Sequence, residues 1–243
     1  MLNQIFETAK VVFTASLRKN LIIASLLIMA PLLFSAWLFE TSNPGFQTGF
    51  ILDAGSGLMS LLAIIVIAIL GFDQLFWVCE QPTPWFYFSR LKSRILFPIG
   101  KFLGISFVLG IILLAFSFLL SLLIYFTSGS LILLPFKIAF IVWSEYSLLL
   151  SVLILFSTFL SKLMAVGMMI TVYFIAQSSA FLLNSLPKWF AEILLTVLPS
   201  ANLFEAAIES DQLTVLLFVF LYALFMSAFY ITLAGWVLKR KDL

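Results

Sequence analysis

Residues 77–104, WVCEQPTPWFYFSRLKSRILFPIGKFLG, join two strongly apolar stretches of this chain. Between the apolar flanks lie a glutamate, two prolines, a run of aromatic residues and a cluster of basic residues. Only 10% of all residues are charged, so a local concentration of charge needs a physical reason. We refer to residues 77–95 as the joint.

The composition predicts an integral membrane protein. The chain is 63% hydrophobic, and its mean hydropathy is +1.20, whereas soluble domains carry about 25% charged residues. There is no His, which excludes zinc-protease motifs, His-based catalytic triads and haem ligation by His. The single cysteine, Cys79, permits no disulfide within the chain.

Hydropathy in a window of about 19 residues predicts an all-α membrane fold with six transmembrane helices in a single domain, 1–243. The third helix exceeds the roughly 20 residues needed to cross a bilayer, so we expect it to tilt or protrude. The fourth and fifth are separated only by a tight turn at Ser161–Lys162, which predicts a helical hairpin. The predicted spans are 21–39, 57–78, 96–126, 138–161, 163–185 and 213–238.

The distribution of basic residues predicts that both termini are cytoplasmic. With that orientation, all but two of the 13 Lys and Arg residues lie on the inner side, as the positive-inside rule requires. The exceptions are Lys137 and Lys188. The inner set is Lys10, Arg18, Lys19, Arg90, Lys92, Arg94, Lys101, Lys162, Lys239, Arg240 and Lys241, and the outer loops hold acidic residues instead, namely Glu40, Asp53, Glu192, Glu205, Glu209 and Asp211.

Two further segments are predicted to be helical without crossing the membrane. Residues 1–17 have the pattern of an amphipathic interfacial helix, with Ile5, Val12 and Phe13 facing lipid and with Asn3, Glu7 and Lys10 facing water; a polar leader to the first span is the alternative. Residues 186–210 are apolar but broken by prolines, which predicts re-entrant or interfacial helices on the outer side. An extra span there would place the basic C-terminus outside.

The joint itself has helical periodicity. Trp85, Phe88, Leu91 and Ile95 form one stripe, whereas Arg90 and Arg94 lie on another face. This pattern predicts a short amphipathic helix on the cytoplasmic membrane surface. Its basic residues could merely snorkel and set topology. Alternatively, such a helix is a lever that passes motion from a cytoplasmic partner into the second and third helices.

At the joint, the sequence resembles the ABC-2-type ABC transporter permeases, in particular the branch of multicopper-enzyme-maturation and gliding-motility permeases. That family typically has Glu-x-Gly-Thr after its second helix, then Ser-Arg-Pro-x-Ser-Arg, then Gly-Lys-x-x-Gly. The corresponding positions here are Glu80 to Thr83, Ser89 to Arg94, and Gly100 to Gly104, with the spacing preserved. Two positions depart from the pattern, since Pro82 replaces glycine and Leu91 replaces proline. Weaker likenesses occur at 52–57, 198–204 and 239–243.

The resemblance implies a permease subunit that is not itself an enzyme and belongs in the bacterial cytoplasmic membrane. The chain lacks a Gly-x-x-x-x-Gly-Lys-Ser/Thr loop, which agrees with a separate cytoplasmic ATP-binding subunit that holds ATP and Mg²⁺ and docks on the joint. A second permease copy would complete a homodimer, and no nucleic-acid partner is implied. The coupling residues would be Glu80, Thr83, Ser89, Arg90, Ser93, Arg94 and Lys101; topology and lipid contact alone are the alternative for each.

Asp73 and Glu145 are ionisable residues within predicted spans, where charge is costly. Both are candidates for a translocation path or an interface. Asp73 lies near the inner end of the second span, and an interfacial acid beside the headgroups is its alternative. Glu145 has Ser144, Tyr146 and Ser147 as neighbours, and a protonated or hydrogen-bonded structural role is its alternative.

Other functions remain open at the level of sequence. A stand-alone channel, carrier or assembly scaffold would need a polar path through the bundle, for which the spans offer little beyond Asp73 and Glu145. An intramembrane enzyme would lack His and paired acids within the bilayer. Gly100 and Gly104 form a GxxxG step that permits close helix contact, although one such step is weak evidence.

Overall fold

The computed structural model of the protein describes residues 2–18, 20–42, 49–75, 96–129, 132–178, 201–210 and 212–240. Within these ranges the fold is all-helical, without β-strands. The eight described helices are α1 (Leu2–Arg18), α2 (Leu21–Ser42), α3 (Gly49–Gln74), α4 (Leu96–Ser128), α5 (Leu134–Ser157), α6 (Lys162–Gln177), α7 (Ala201–Glu209) and α8 (Leu213–Arg240).

The length and composition of the helices are compatible with a membrane protein. Four helices, α3, α4, α5 and α8, are each long and apolar enough to cross a bilayer. The α1–α2 pair meets the same test together, although it is bent by 50°. With 16 residues, α6 is a shorter apolar helix. The described helices therefore include four candidate spans, or five if the bent pair counts as one, and the six-span architecture stays a prediction.

The helix boundaries differ from the hydropathy prediction where polar side chains bond to the helix itself. Helix α3 begins eight residues earlier than predicted, and Ser56 Oγ inside its extra turns donates to Asp53 O at 2.9 Å. Helix α5 ends at Ser157 rather than 161, where Thr158 Oγ1 donates to Leu155 O at 2.7 Å. Such local bonds satisfy polar groups that a hydropathy window treats only as breaks.

Helix α5 is the centre of the bundle. It packs against α3, α4, α6, α7 and α8, and 83% of its apolar stretch is buried, compared with 28% for α8. Pro135 occupies its first turn, where the missing N–H has no cost. Because α5 contacts so many neighbours, its side chains determine how the surrounding helices are spaced.

The outer surface of the bundle is apolar. Phe118 of α4, Phe174 of α6 and Phe225 of α8 are 60%, 63% and 70% exposed. Soluble proteins rarely expose contiguous apolar surface on this scale. These side chains are therefore positioned as lipid-facing residues would be.

Helix α1 packs along the first three turns of α4. A Cβ atom added to Gly104 would lie 2.7 Å from Val12 Cβ and 2.9 Å from Ala9 O, and one added to Gly100 would lie 2.6 Å from Thr8 Cβ. The GxxxG step of α4 is thus the surface against which α1 lies. Val12 is fully buried, so the apolar stripe predicted to face lipid packs on protein instead, while Glu7 and Lys10 are exposed as expected.

The chain turns between α1 and α2 at Asn20. Its φ of 52° is left-handed, a conformation that asparagine tolerates better than most residues. The Asn20 amide donates to Leu17 O at 3.0 Å, which closes the end of α1. The apolar stripe of α1 thereby stays on α4 while α2 continues along α3 and α4.

Lys137, near the start of α5, forms hydrogen bonds to the C-terminal end of α7. Lys137 Nζ donates to Ile208 O at 3.0 Å and to the Ser210 carbonyl oxygen at 2.6 Å, where the carbonyls of a helix end lack intrahelical partners. A cation at this position also complements the helix dipole. Of the predicted outer segment 186–210, residues 201–209 are confirmed as helix, and residues 186–200 lie outside the described part.

We expect Lys137→Met to destabilise the protein by about 1.5–3 kcal/mol, because hydrogen bonds from a charged donor are lost while the carbonyls stay half-buried. Lys137→Arg, which keeps the charge and several donors, should retain most of this stability. Hydrogen exchange of the α7 amides tests the local effect and should accelerate in Lys137→Met. Unchanged exchange in α7 would show that Lys137 does not hold this helix.

Candidate functional site

Three polar side chains connect the last turn of α3 to the first turns of α4. Gln74 Nε2 donates to Asp73 Oδ2 at 3.2 Å, and Lys101 Nζ lies 3.5 Å from Gln74 Oε1. Lys101 Nζ also lies 5.6 Å from the centre of the Phe97 ring. We call Asp73, Gln74 and Lys101 the end cluster.

The end cluster is largely buried. Lys101 is 4% exposed and Gln74 is 8% exposed. A buried ammonium group is costly unless a nearby anion and hydrogen-bond acceptors compensate it. Asp73 lies close enough to attract Lys101 electrostatically, and the Gln74 amide connects the two. The cluster therefore links the end of α3 to the start of α4.

Helix α1 joins the same region through the residue beside Lys101. Gly100 lies against Thr8 and the carbonyl oxygen of Ile5. Helix α1 therefore packs on α4 at the turn that carries Lys101. Residues 76–95 connect α3 to α4, and in the chain they are flanked by the end-cluster residues Asp73 and Gln74 on one side and Lys101 on the other.

Most of the predicted coupling residues lie outside the described residues. This applies to Glu80, Thr83, Ser89, Arg90, Ser93 and Arg94, and to the predicted surface helix that carries them. Lys101 and Asp73 are described, and Gln74 brings them together. Sequence reasoning did not single out Gln74, although a second polar residue beside Asp73 in an apolar helix was an available signal.

Glu145 belongs to a different neighbourhood from Asp73. It lies partly buried on α5, and Glu205 of α7 is the acidic side chain near it. Its neighbour Tyr146 is 1% exposed, and Tyr146 Oη donates to Tyr173 Oη of α6 at 3.2 Å. The structure thus places Glu145 between α5 and α7, apart from the end cluster.

A cavity of about 400 Å³ lies between α4, α5 and α8. Ser106 of α4 and Ser147 of α5 share a hydrogen bond of 2.8 Å at its wall, and Trp143 Nε1 donates to Ser106 O at 2.9 Å. Glu145 is not among its lining residues. Sequence reasoning missed this cavity, because the pairing of Ser106 with Ser147 depends on how α4 and α5 pack against each other.

Within the described ranges, no group of three or more His, Cys, Asp or Glu side chains could hold a metal ion. No protein-family model matches this sequence. A comparison with curated proteins also gives no match.

Proposed function

We propose that this chain is the membrane-spanning permease subunit of an ABC transporter. A separate cytoplasmic subunit would hydrolyse ATP with Mg²⁺, and the permease would convert that cycle into substrate export or into mechanical transmission across the membrane. The proposal is supported by the resemblance of residues 80–104 to the ABC-2 permeases. The observation that carries it furthest is the end cluster, because the two helices joined by the resembling segment are held together there.

The end cluster suits a coupling element mechanically. Force applied to residues 76–95 would reach α3 and α4 at the ends that Lys101 and Gln74 join. Since α1 packs on Gly100 and Gly104, it would move with α4. Displacement of the joint would then reorient three helices together instead of bending one.

The joint has the side chains needed to contact an ATPase surface. Arg90 and Arg94 can form bidentate ion pairs with carboxylates of a partner. Glu80 offers the opposite charge, and Thr83, Ser89 and Ser93 offer hydroxyl groups. In this proposal the ATP-binding subunit docks on these residues, and a second copy of the permease completes a homodimer in the cytoplasmic membrane with both termini inside.

We expect Arg94→Glu, or Glu80→Lys, to release the ATP-binding subunit, and so to abolish coupled ATP hydrolysis and transport, without preventing membrane insertion. Each reversal replaces an ion pair with like-charge repulsion at the docking surface. The measurement is co-purification of the tagged permease with a subunit whose peptides contain a Gly-x-x-x-x-Gly-Lys-Ser/Thr loop, followed by ATPase activity of the complex. Both should fall at least about tenfold, the effect of losing roughly 1.4 kcal/mol at the contact.

Lys162→Glu is the matched control, because it reverses one charge at another predicted cytoplasmic turn. It should leave the complex and its ATPase activity intact. If Arg94→Glu and Glu80→Lys also left both unchanged, the coupling role would be wrong. Transport by the purified chain alone in vesicles would instead support a stand-alone carrier or channel.

A further inference from the structure

The cavity between α4, α5 and α8 is open at one side of the bundle. It is lined mainly by apolar side chains, including Phe102 and Leu103 of α4 and Leu224 of α8. Leu103 and Leu224 are 47% and 50% exposed, so they flank the opening on the outer, apolar surface of the bundle. If these helices cross a bilayer, the cavity opens sideways into its hydrocarbon.

Four of the five hydroxyl groups in the cavity wall, those of Ser106, Ser144, Ser147 and Thr232, are hydrogen-bonded to protein. Ser144 Oγ donates to Phe140 O at 2.9 Å, and Ser106 and Ser147 bond to each other. Trp143 Nε1 also donates a hydrogen bond, to Ser106 O. An occupant would therefore meet a wall with little hydrogen-bonding demand, which favours an apolar chain over a polar solute.

The cavity has the depth of one membrane leaflet. Its lining on α8 runs from Phe220 to Thr232, a distance of about 18 Å at the rise of an α-helix. Half of a hydrocarbon core of about 30 Å is about 15 Å. A lipid tail entering from one end of the cavity would thus fit along its length.

A basic pair lies beyond one end of the cavity. On α8, Trp236, Lys239 and Arg240 follow Thr232 by four, seven and eight residues, which keeps them on the cavity side of the helix. Lys239 and Arg240 are exposed, and the Arg240 guanidinium lies 3.7 Å from the centre of the Trp236 ring. An anionic headgroup at this end would meet two cations while its tail occupied the cavity.

The volume argues against a helix from a second protein as the occupant. A helix of 10 Å diameter and the same length would need about 1,400 Å³, more than the about 990 Å³ of empty space in the cavity. A volume of this size is instead typical of sites for a single small ligand, which span about 300–1,000 Å³.

We propose that this cavity binds one acyl chain of an anionic phospholipid from the leaflet at the α8 C-terminal end. Lys239 and Arg240 hold the headgroup, and the chain lies between α4 and α8 against α5. The site is independent of any ATPase partner and of the proposed coupling role.

The test uses quenching of Trp143, whose side chain lines the cavity. A variant retaining Trp143 as its one tryptophan, with the other five changed to Phe, is reconstituted with phosphatidylglycerol or phosphatidylcholine brominated in the acyl chain. Brominated phosphatidylglycerol should quench at a lower mole fraction. Lys239→Gln and Arg240→Gln should each reduce this preference roughly fivefold, the effect of one basic residue near an anionic lipid surface, whereas Lys162→Gln should not.

Variants that fill the cavity distinguish lipid binding at a specific site from ordinary lipid contact with the outer surface. Ala228→Phe introduces a ring at the cavity lining and should largely abolish quenching by either lipid. Leu233→Phe enlarges a lipid-exposed residue of α8 outside the cavity and should leave quenching unchanged. Equal quenching by both lipids, or quenching that survives Ala228→Phe, would overturn the proposal, as would retained preference after both charge removals.

Discussion

Lys101→Glu is expected to destabilise the protein by about 3–5 kcal/mol, the range measured when a buried charge is left uncompensated. The substitution places a carboxylate where Lys101 is now 4% exposed, beside Asp73 and Gln74 Oε1. Attraction becomes repulsion, and the acceptor oxygen of Gln74 loses its donor. The ends of α3 and α4 should therefore separate, even if the rest of the bundle remains folded.

The measurement is unfolding of the purified protein by titration with sodium dodecyl sulfate in mixed micelles. A second substitution, at Asp73, tests whether the two charges interact. Asp73→Lys alone should also destabilise the protein, by placing two ammonium groups together, whereas Asp73→Lys combined with Lys101→Glu should recover part of the loss. Interacting residues give such non-additive free energies, and independent ones do not.

Lys10→Glu is the control, because Lys10 is exposed on α1 and its reversal should change stability by less than about 0.5 kcal/mol. Strictly additive effects of Asp73→Lys and Lys101→Glu would mean that the two charges do not interact. In that case the end cluster would not hold α3 and α4 together, and the mechanical support for a coupling role would be lost.

The positions of the helices could be predicted closely because burial in apolar surroundings determines them. The third predicted span, 96–126, corresponds to α4 at 96–128, since Lys101 and the few serines of this helix do not end its apolar run. The same reasoning placed the start of α3 too late, because Asp53 and Ser56 lower the hydropathy while their local hydrogen bonds allow the helix to continue.

Partners between helices could not be predicted, because they depend on packing angles that the sequence does not state. Hydropathy indicated that α1 has an apolar stripe, but lipid and the Gly100–Gly104 surface of α4 are equally apolar partners for it. The charge of Lys101 and the location of Asp73 were visible, whereas the role of Gln74 required α3 and α4 to be placed side by side. The coupling role of the joint residues from Glu80 to Arg94 stays a prediction.

Gly104→Ala is expected to destabilise the protein by about 1–3 kcal/mol, as overpacking of a close contact usually does. The new Cβ would lie 2.9 Å from Ala9 O and 3.1 Å from Ala9 Cα. These are backbone atoms, so a change of side-chain rotamer cannot relieve the contact, and α1 must move away from α4. Gly100→Ala should act in the same direction, since it meets the carbonyl oxygen of Ile5 at 3.1 Å.

Gly57→Ala provides the matched control within α3, because a Cβ there meets nothing within 4 Å. Alanine has a higher helix propensity than glycine by about 0.8–1.0 kcal/mol, so Gly57→Ala should be neutral or stabilising. Opposite changes in stability for Gly104→Ala and Gly57→Ala would distinguish the effect of packing from the effect of helix propensity. Hydrogen exchange adds a local readout, since the amides of Leu2–Arg18 should exchange faster in Gly104→Ala and not in Gly57→Ala. If Gly104→Ala stabilised the protein as Gly57→Ala does, then α1 would not pack on α4, and it would lie on the membrane surface as an independent amphipathic helix.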